Sequence, residues 1–106
     1  MFVGTNELTL PLTVSSTPTA YVIPSQVGNN FRMRVFNDCG DTLLFKLETS
    51  STVTLAAPAS GTSQNATAMK DGTVEMFNES SNPSHISVYS ASGTGFAYFQ
   101  FTYGDK

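Results

Sequence analysis

The side chains that could carry out covalent chemistry in this chain are few. Cys39 is its only cysteine and His85 its only histidine, so a thiol nucleophile with an imidazole base would require these two residues to meet in space. A serine nucleophile would need the same histidine, and the G-x-S-x-G turn that presents such a serine in many hydrolases is missing from the sequence. We therefore predict that the protein is not an enzyme, and we assign no catalytic residue.

Two further sets of charged residues could bind ions. Asp38 and Asp41 flank Cys-Gly in a predicted turn, and two close carboxylates can hold calcium. Their spacing departs from the D-x-[DN]-x-[DN]-G pattern, and Asp and Gly are common turn formers, so we predict no metal and no other cofactor. Arg32 and Arg34 share one face of a predicted strand and could form a basic patch for an anion or a partner. An ordinary solvated strand face is the alternative interpretation.

The composition argues against several classes of partner. The chain has five Lys and Arg against eight Asp and Glu, a net charge of -3, so we do not expect it to bind nucleic acid. No stretch reaches the roughly 18 apolar residues of a membrane span, and the N-terminus lacks the basic and apolar regions of a secretory signal. We therefore expect a protein made in a cytoplasm, with no membrane partner.

The elements that must position these residues are strands. Apolar and polar residues alternate with a period of two along most of the chain, and no window has the spacing of an amphipathic helix. With 106 residues, 40% of them hydrophobic, the chain can form one folded domain. The pattern predicts an all-β fold: an antiparallel β-sandwich of about eight short strands, with a jelly roll as one option. We expect this single domain over residues 7–106, behind an N-terminal arm at 1–6. The predicted strand segments are 8–14, 19–23, 31–35, 43–48, 52–57, 66–69, 73–78, 85–91 and 96–103.

The clearest strand pair consists of two alternating runs, 31–35 and 43–48, on either side of the turn-forming sequence NDCGD. We predict a β-hairpin here, and placing both apolar sets on one face requires the numbers of paired residues to have an even total. One such register sets Arg32 opposite Glu48 and leaves residues 39–41 as the loop, although a five-residue loop satisfies the same rule. The residues on the apolar parity of their strands form the predicted core: Phe31, Met33, Val35, Phe45, Leu47, Val74, Met76, Ile86 and Val88.

The last predicted strand has aromatic residues on both faces. Phe96 and Tyr98 lie on one face, whereas Phe99, Phe101 and Tyr103 lie on the other. A two-layer sandwich buries one face of each sheet, so a partner or a second subunit could cover the other face; plain core packing is the alternative. From this strand, the basic patch and the apolar arm, the predicted partner-binding residues are Phe2, Val3, Arg32, Arg34, Tyr98, Phe99, Phe101 and Tyr103.

The order of these features resembles that of small virion proteins of tailed bacteriophages. The resemblance rests on LTLPLTVSST near the start, FRMRVFNDCGDTLLFKL, DGTVEMF and the closing SHISVYSASGTGFAYFQFTYG, and it spans nearly the whole chain. It implies a capsid decoration (cement) protein, a small β-sandwich that binds the outer surface of an assembled head and stabilises the contacts between capsomers. The implied partners are the major capsid protein and further copies of the chain itself, with a trimer favoured. The implied location is the capsid surface of the virion, after synthesis in the host cytoplasm.

Two other functions are compatible with the sequence. A tail- or fibre-associated module that binds glycans or a receptor would also be a β-sandwich rich in Tyr, Ser and Thr, with sugars stacked on exposed aromatic rings. A small hydrolase is the weakest hypothesis. Copy number separates the first two functions, because a head would carry hundreds of copies of a cement protein and a tail far fewer. Loss of an activity in His85→Ala would support the third.

Overall fold

The structure, a computed structural model, describes residues 6–28, 30–79 and 83–104, with Glu79 described by its backbone alone. Phe2 and Val3, in the predicted arm, lie outside the described residues. The first strand begins at Asn6, the last residue of that predicted arm. The elements in chain order are β1 (Asn6–Thr13), β2 (Thr19–Val22), a 3-10 helix (Ser25–Val27), β3 (Phe31–Asp38), β4 (Leu43–Glu48), β5 (Thr67–Met69), β6 (Val74–Glu79), β7 (His85–Tyr89) and β8 (Phe96–Tyr103).

The strands form two four-stranded antiparallel sheets. Sheet A has the strand order β1-β8-β3-β6 and sheet B the order β2-β7-β4-β5. The first strand pairs with the last, β2 with β7, β3 with β6 and β4 with β5. This is the strand order of a jelly roll. The predicted all-β antiparallel sandwich is confirmed, and no helix in the described part of the chain has the length and apolarity of a membrane span.

The predicted β3–β4 hairpin is wrong. β3 pairs with β6 and β8 in sheet A, whereas β4 pairs with β5 and β7 in sheet B, so the turn between them carries the chain from one sheet to the other. Arg32 lies opposite Asn78 and Thr102, and Glu48 lies opposite His85, so the expected pairing of Arg32 with Glu48 does not form. Alternation could not distinguish a hairpin from this corner, because both turn the apolar residues of β3 and β4 toward the same core.

The core between the sheets contains most of the predicted residues. Leu47 is half-buried and packs against this core. Six further predicted core residues, on β3, β4 and β7, are at most 3% exposed: Phe31, Met33, Val35, Phe45, Ile86 and Val88.

On β6 the predicted core residues are wrong. Val74 and Met76 are 44% and 56% exposed. The register with β3 places Met76 opposite Arg34 and Phe77 opposite Met33, so Phe77 is the residue that points inward, where it packs against the core. β6 is an edge strand with apolar residues on both of its faces, so its own alternation did not determine which face is buried.

The strand predicted at 52–57 is also wrong. This segment belongs to the connection between β4 and β5, and side chains rather than a neighbouring strand satisfy its backbone. The N–H of Thr54 donates to Glu48 Oε2 at 3.1 Å. The N–H of Ala56 donates to Gln64 Oε1 at 3.1 Å, and the carbonyl oxygen of Ala56 accepts from Gln64 Nε2 at 2.8 Å. Since these groups are already bonded to side chains, they are not available to a neighbouring strand.

The connection between β4 and β5 covers the part of the outer face of sheet B around Glu48 and Ser87. Leu55 is 5% exposed and lies outside the core between the sheets, and the outward-facing Ser87 is fully buried.

The buried carboxylate of Glu48 accepts hydrogen bonds from Ser87 Oγ at 2.9 Å and from Thr54, and the ammonium group of Lys46 is 3.9 Å away. Burial raises the pKa of Glu48, but the hydrogen bonds from Thr54 and Ser87 and the Lys46 charge outweigh it and hold that pKa below its ordinary value.

Four connections meet at one end of the sandwich. They join β1 to β2, β3 to β4, β5 to β6 and β7 to β8, and hydrogen bonds tie them together. The N–H of Val14 donates to the carbonyl oxygen of Gly95 at 2.9 Å, and the N–H of Gly95 donates to the carbonyl oxygen of Cys39 at 3.3 Å. The N–H of Gly40 donates to Asp71 Oδ1 at 2.9 Å. This network stabilises the corners at which the chain passes between the sheets.

Candidate partner-binding face

The structure does not bring together the residues considered for catalysis. Cys39 is buried, and its Sγ lies 3.2 Å from the carbonyl oxygen of Asp41, at the end of the sandwich that holds the β7–β8 connection. His85 begins β7 at the other end, with Nδ1 2.7 Å from Ser84 Oγ. β7 has five residues, so about 13 Å of strand separates the two ends. A Cys–His pair is therefore not assembled.

Asp38 and Asp41 do not face one ion site. Asp38 is exposed and points to the side of sheet A that faces away from the core, whereas Asp41 Oδ2 accepts a hydrogen bond from Ser92 Oγ at 2.5 Å. That bond, with a further one from the backbone of Thr42, holds the pKa of the Asp41 carboxyl below its ordinary value. Among the described residues, no group of three or more His, Cys, Asp or Glu side chains could hold a metal ion.

The candidate binding surface is the face of sheet A that points away from the core, which we call the outer face of sheet A. The strand register aligns its side chains in three rows that cross all four strands. The first row is Pro11, Tyr98, Phe36 and Val74; the second is Thr9, Gln100, Arg34 and Met76; the third is Glu7, Thr102, Arg32 and Asn78. Phe96 and Asp38 lie beside the first row, opposite each other.

Exposed apolar side chains are concentrated on this face. Val74, Met76 and Phe96 are 44%, 56% and 45% exposed, and in the described part of the chain one other large hydrophobic side chain is exposed, Val22 on β2 at 65%. Single exposed apolar residues are common on protein surfaces, but a contiguous group is typical of a binding surface. The outer face of sheet A therefore differs from that of sheet B, part of which the β4–β5 connection covers.

Three aromatic rings form a continuous strip along this face. The ring of Tyr98 lies 6.0 Å from that of Phe36, with the two planes 17° apart, and 6.0 Å from that of Phe96, with the planes 35° apart. Rings at this spacing attract each other and hold one another in place. The strip is therefore a rigid apolar surface that can be buried with little loss of side-chain entropy.

The charged groups on this face are unevenly arranged. Arg32 and Arg34 are exposed, and neither forms a salt bridge or hydrogen bond with a described residue. Asp38, on the same strand, is likewise without such a partner in the described part of the chain, whereas Glu7 Oε1 accepts a hydrogen bond from Gln100 at 3.2 Å. Two free cations therefore lie toward one end of β3, and a free carboxylate lies at its other end.

A shallow depression of about 360 Å³ lies between the first and second rows of the outer face of sheet A. Its volume is within the range of small-ligand sites, about 300–1,000 Å³. Apolar side chains form one wall and hydrogen-bonding side chains the other: Phe36, Val74 and Tyr98 against Thr9, Arg34 and Gln100.

Two of the predicted partner-binding residues belong to the core instead. Phe99 and Phe101 are fully buried, with the ring of Phe99 5.4 Å from that of Phe45 and the ring of Phe101 5.2 Å from that of Phe31. β8 is an interior strand of sheet A, so this side of it faces sheet B and no partner can reach it. Tyr103, on the same side of β8, is half-buried and packs against the core.

The structure does bring Arg32, Arg34 and Tyr98 together on the outer face of sheet A. Sequence reasoning missed Phe36 and assigned Met76 to the core, although both lie on this face. The alternation along β3 could have identified Phe36, because it places this aromatic residue on the same side of the strand as the two arginines.

The fold is similar to that of a solved protein described in the words "Bacillus endospore appendages form a novel family of disulfide-linked pili". The match has a TM-score of 0.65 at 11% sequence identity and covers 95% of this chain and 87% of that chain. At this identity the likeness shows the fold alone. No family model matches the chain, and no curated protein matches it.

Proposed function

We propose that this protein is a structural virion protein of the capsid decoration type, which binds a protein surface through the outer face of sheet A. The observation that carries the proposal is the group of exposed apolar residues Val74, Met76 and Phe96 beside Arg32 and Arg34 on an uncovered face. Aromatic residues, Met and Arg are enriched at protein interfaces, and an apolar patch left in water favours association. The capsid enters the proposal through the resemblance of the sequence to small phage virion proteins.

The proposed role is non-enzymatic. Glu48 on β4 lies opposite His85 on β7. In that position a carboxylate could orient the imidazole ring of a catalytic histidine. The Glu48 carboxylate already accepts hydrogen bonds from Thr54 and Ser87, and Cys39 is buried at the other end of the sandwich. Binding therefore accounts for these residues better than catalysis does, since each has a structural role.

The pilus protein of similar fold supports a role in assembly by analogy. That family is described as disulfide-linked, and here the analogy ends. The one cysteine of this chain, Cys39, is 4% exposed, and its Sγ contacts the carbonyl oxygen of Asp41. We therefore propose non-covalent association, with the major capsid protein and further copies of the chain as partners at the capsid surface.

Cosedimentation with heads of the phage that encodes the chain tests the proposal. Purified protein should bind heads lacking it in hundreds of copies, and Met76→Asp should abolish most of this binding because it places a charge in the apolar group. Val22→Asp is the matched control, since it adds the same charge at an exposed apolar position on sheet B. Equal binding by the two variants, or binding at the tail alone, would contradict the proposal.

Glycan binding by a tail or fibre module is a second candidate, and the depression on the outer face of sheet A favours it. The rings of Phe36 and Tyr98 could stack on a sugar, while Thr9, Arg34 and Gln100 offer hydrogen bonds to its hydroxyl groups. Titration with a panel of oligosaccharides, followed by the amide chemical shifts of these residues, tests this candidate. Shifts that vanish in Tyr98→Ala would support it, and a panel without any response would exclude it for the sugars used.

A further inference from the structure

We propose that the outer face of sheet A packs against the same face of a second copy of the chain, with the two β3 strands antiparallel and related by a twofold axis. The inference rests on the proposed function in one respect, since both place a protein on this face. One surface cannot hold two partners at once, so a head and the second copy compete for it. The inference adds the identity of that protein and the register of the contact.

The outward-facing residues of β3 are complementary to themselves when the strand is reversed. In order they are Arg32, Arg34, Phe36 and Asp38, which are two cations, a ring and an anion. A twofold axis that crosses β3 at the level of Val35 places Arg32 over Asp38 of the second copy and Arg34 over its Phe36. The first contact is an ion pair and the second a cation–π contact. Each occurs twice, because a twofold axis makes the interface isologous.

The same axis forms compatible contacts on the neighbouring strands. The first and second rows of the face are each in register across all four strands, so the axis exchanges these rows everywhere. On β6, Val74 lies over Met76 of the second copy, so these two exposed apolar side chains cover each other. On β8, Tyr98 lies over Gln100, a phenol against an amide. No strand of the face places like charges opposite each other.

The size of the face is sufficient for a weak, specific dimer. Four strands span about 19 Å and eight residues of strand about 27 Å, so each copy contributes about 500 Å² in projection. The two copies together bury about 1,000 Å², the lower bound for a specific interface. Aligned sheets pack about 10 Å apart with their strands within about 30° of each other, so the two outer faces can meet as the layers of a sandwich do.

The distribution of charge favours a second copy over a different protein. Arg32 and Arg34 lie toward one end of β3 and Asp38 at the other, and none has an ion-pair partner among the described residues. A partner surface of one sign would satisfy one end of β3 and repel the other. A reversed copy satisfies both ends with the same residues.

Charge exchange between two variants tests the inference, with the protein itself as the probe. Arg32→Asp would create two Asp–Asp contacts in the dimer, and Asp38→Arg would create two Arg–Arg contacts. In analytical ultracentrifugation, each variant alone should dissociate at a concentration about a hundredfold higher than the wild type does. An equimolar mixture of the two should form a heterodimer of near wild-type affinity, because both Asp–Arg contacts form again. Lys70→Asp, at an exposed position away from the face, changes the net charge as Arg32→Asp does and should dimerise normally.

A wild type that stays monomeric, or two variants that do not pair when mixed, would overturn the inference. If Met76→Asp then still abolishes head binding, the proposed function stands and the face binds the capsid directly; a response of the outer face to oligosaccharides would instead favour the glycan candidate. If the dimer forms and heads are not bound, the inference stands and the proposed function fails. Should a charge variant not fold, Val74→Lys mixed with Met76→Asp repeats the exchange, since these residues face each other in the same dimer.

Discussion

The side-chain amide of Asn37 donates a hydrogen bond to the carbonyl oxygen of Met69 at 3.0 Å, although the two residues are 32 positions apart. The same nitrogen donates to the carbonyl oxygen of Asp41 at 2.9 Å, and Oδ1 of Asn37 accepts from the N–H of Cys39 at 3.1 Å. Asn37 is fully buried, so one side chain joins the β3–β4 corner to the end of β5 away from water.

Replacing this amide by a carboxylate should destabilise the fold strongly. Asn37→Asp has no N–H to offer the two carbonyl oxygens and would place a charge beside them in a buried site. We expect a loss of about 3 kcal/mol or more in the free energy of unfolding at pH 7, measured by urea denaturation. Asn30→Asp, at an exposed position, is the control and should change stability little. Similar values for the two variants would contradict the role assigned to Asn37.

Position 95 requires glycine because the backbone of Asp38 and Cys39 lies too close to leave room for a side chain. A Cβ at this position would lie 2.5 Å from the carbonyl oxygen of Asp38 and 3.1 Å from the Cα of Cys39, and backbone atoms cannot rotate away. Gly95→Ala should therefore cost about 3 kcal/mol in thermal or urea unfolding. Gly61→Ala provides the comparison, because Gly61 has a φ of 77° but open space around its Cα, and alanine there should cost about 1 kcal/mol. Equal costs would show that the corner can relax.

Phe45 is a buried core residue that contacts two aromatic rings of the opposite sheet. Its ring makes edge-to-face contacts with Phe77 at 5.5 Å and Phe99 at 5.4 Å, and so links the two sheets. Truncation in Phe45→Ala should lower the free energy of unfolding by about 3–5 kcal/mol, a large part of the total for a small domain. Val22→Ala truncates an apolar side chain that is 65% exposed, and its effect should stay within about 0.5 kcal/mol. An unchanged melting temperature for Phe45→Ala would refute this view of the core.

Glu48 should make stability depend on pH. Its pKa in the folded protein is below the ordinary value of 4.5, so its contribution is fully present above that value and is lost as the pH falls through the folded pKa. Glu48→Gln should lower the free energy of unfolding at pH 7 by about 1–3 kcal/mol, because the hydrogen bonds from Thr54 and Ser87 then go to a neutral group. The difference from wild type should shrink on acidification below pH 4.5. Glu75→Gln, at an exposed position on β6, is the control for the loss of one carboxylate, and a difference for Glu48→Gln that is constant with pH would count against the mechanism.

Local alternation predicted the inward side chains well wherever the two faces of a strand differ in polarity. On β3, Phe31, Met33 and Val35 alternate with exposed residues and are at most 1% exposed, because the period of the backbone alone places them on one side. The same reasoning failed on β6. There Met76 and Phe77 are neighbours, and only the register with β3 decides that Phe77 points inward.

The sequence by itself determined that the chain forms strands and, for most of them, which side chains face the core, since both depend on residues within a few positions of each other. Tertiary structure alone decided which strands are neighbours, because pairing depends on contacts between distant segments that parity does not encode. The corner between β3 and β4 and the outer face of sheet A were therefore not predictable. Thr9, Gln100, Arg34 and Met76 come from four strands of the chain, and they form one row solely because β1, β8, β3 and β6 lie side by side in register.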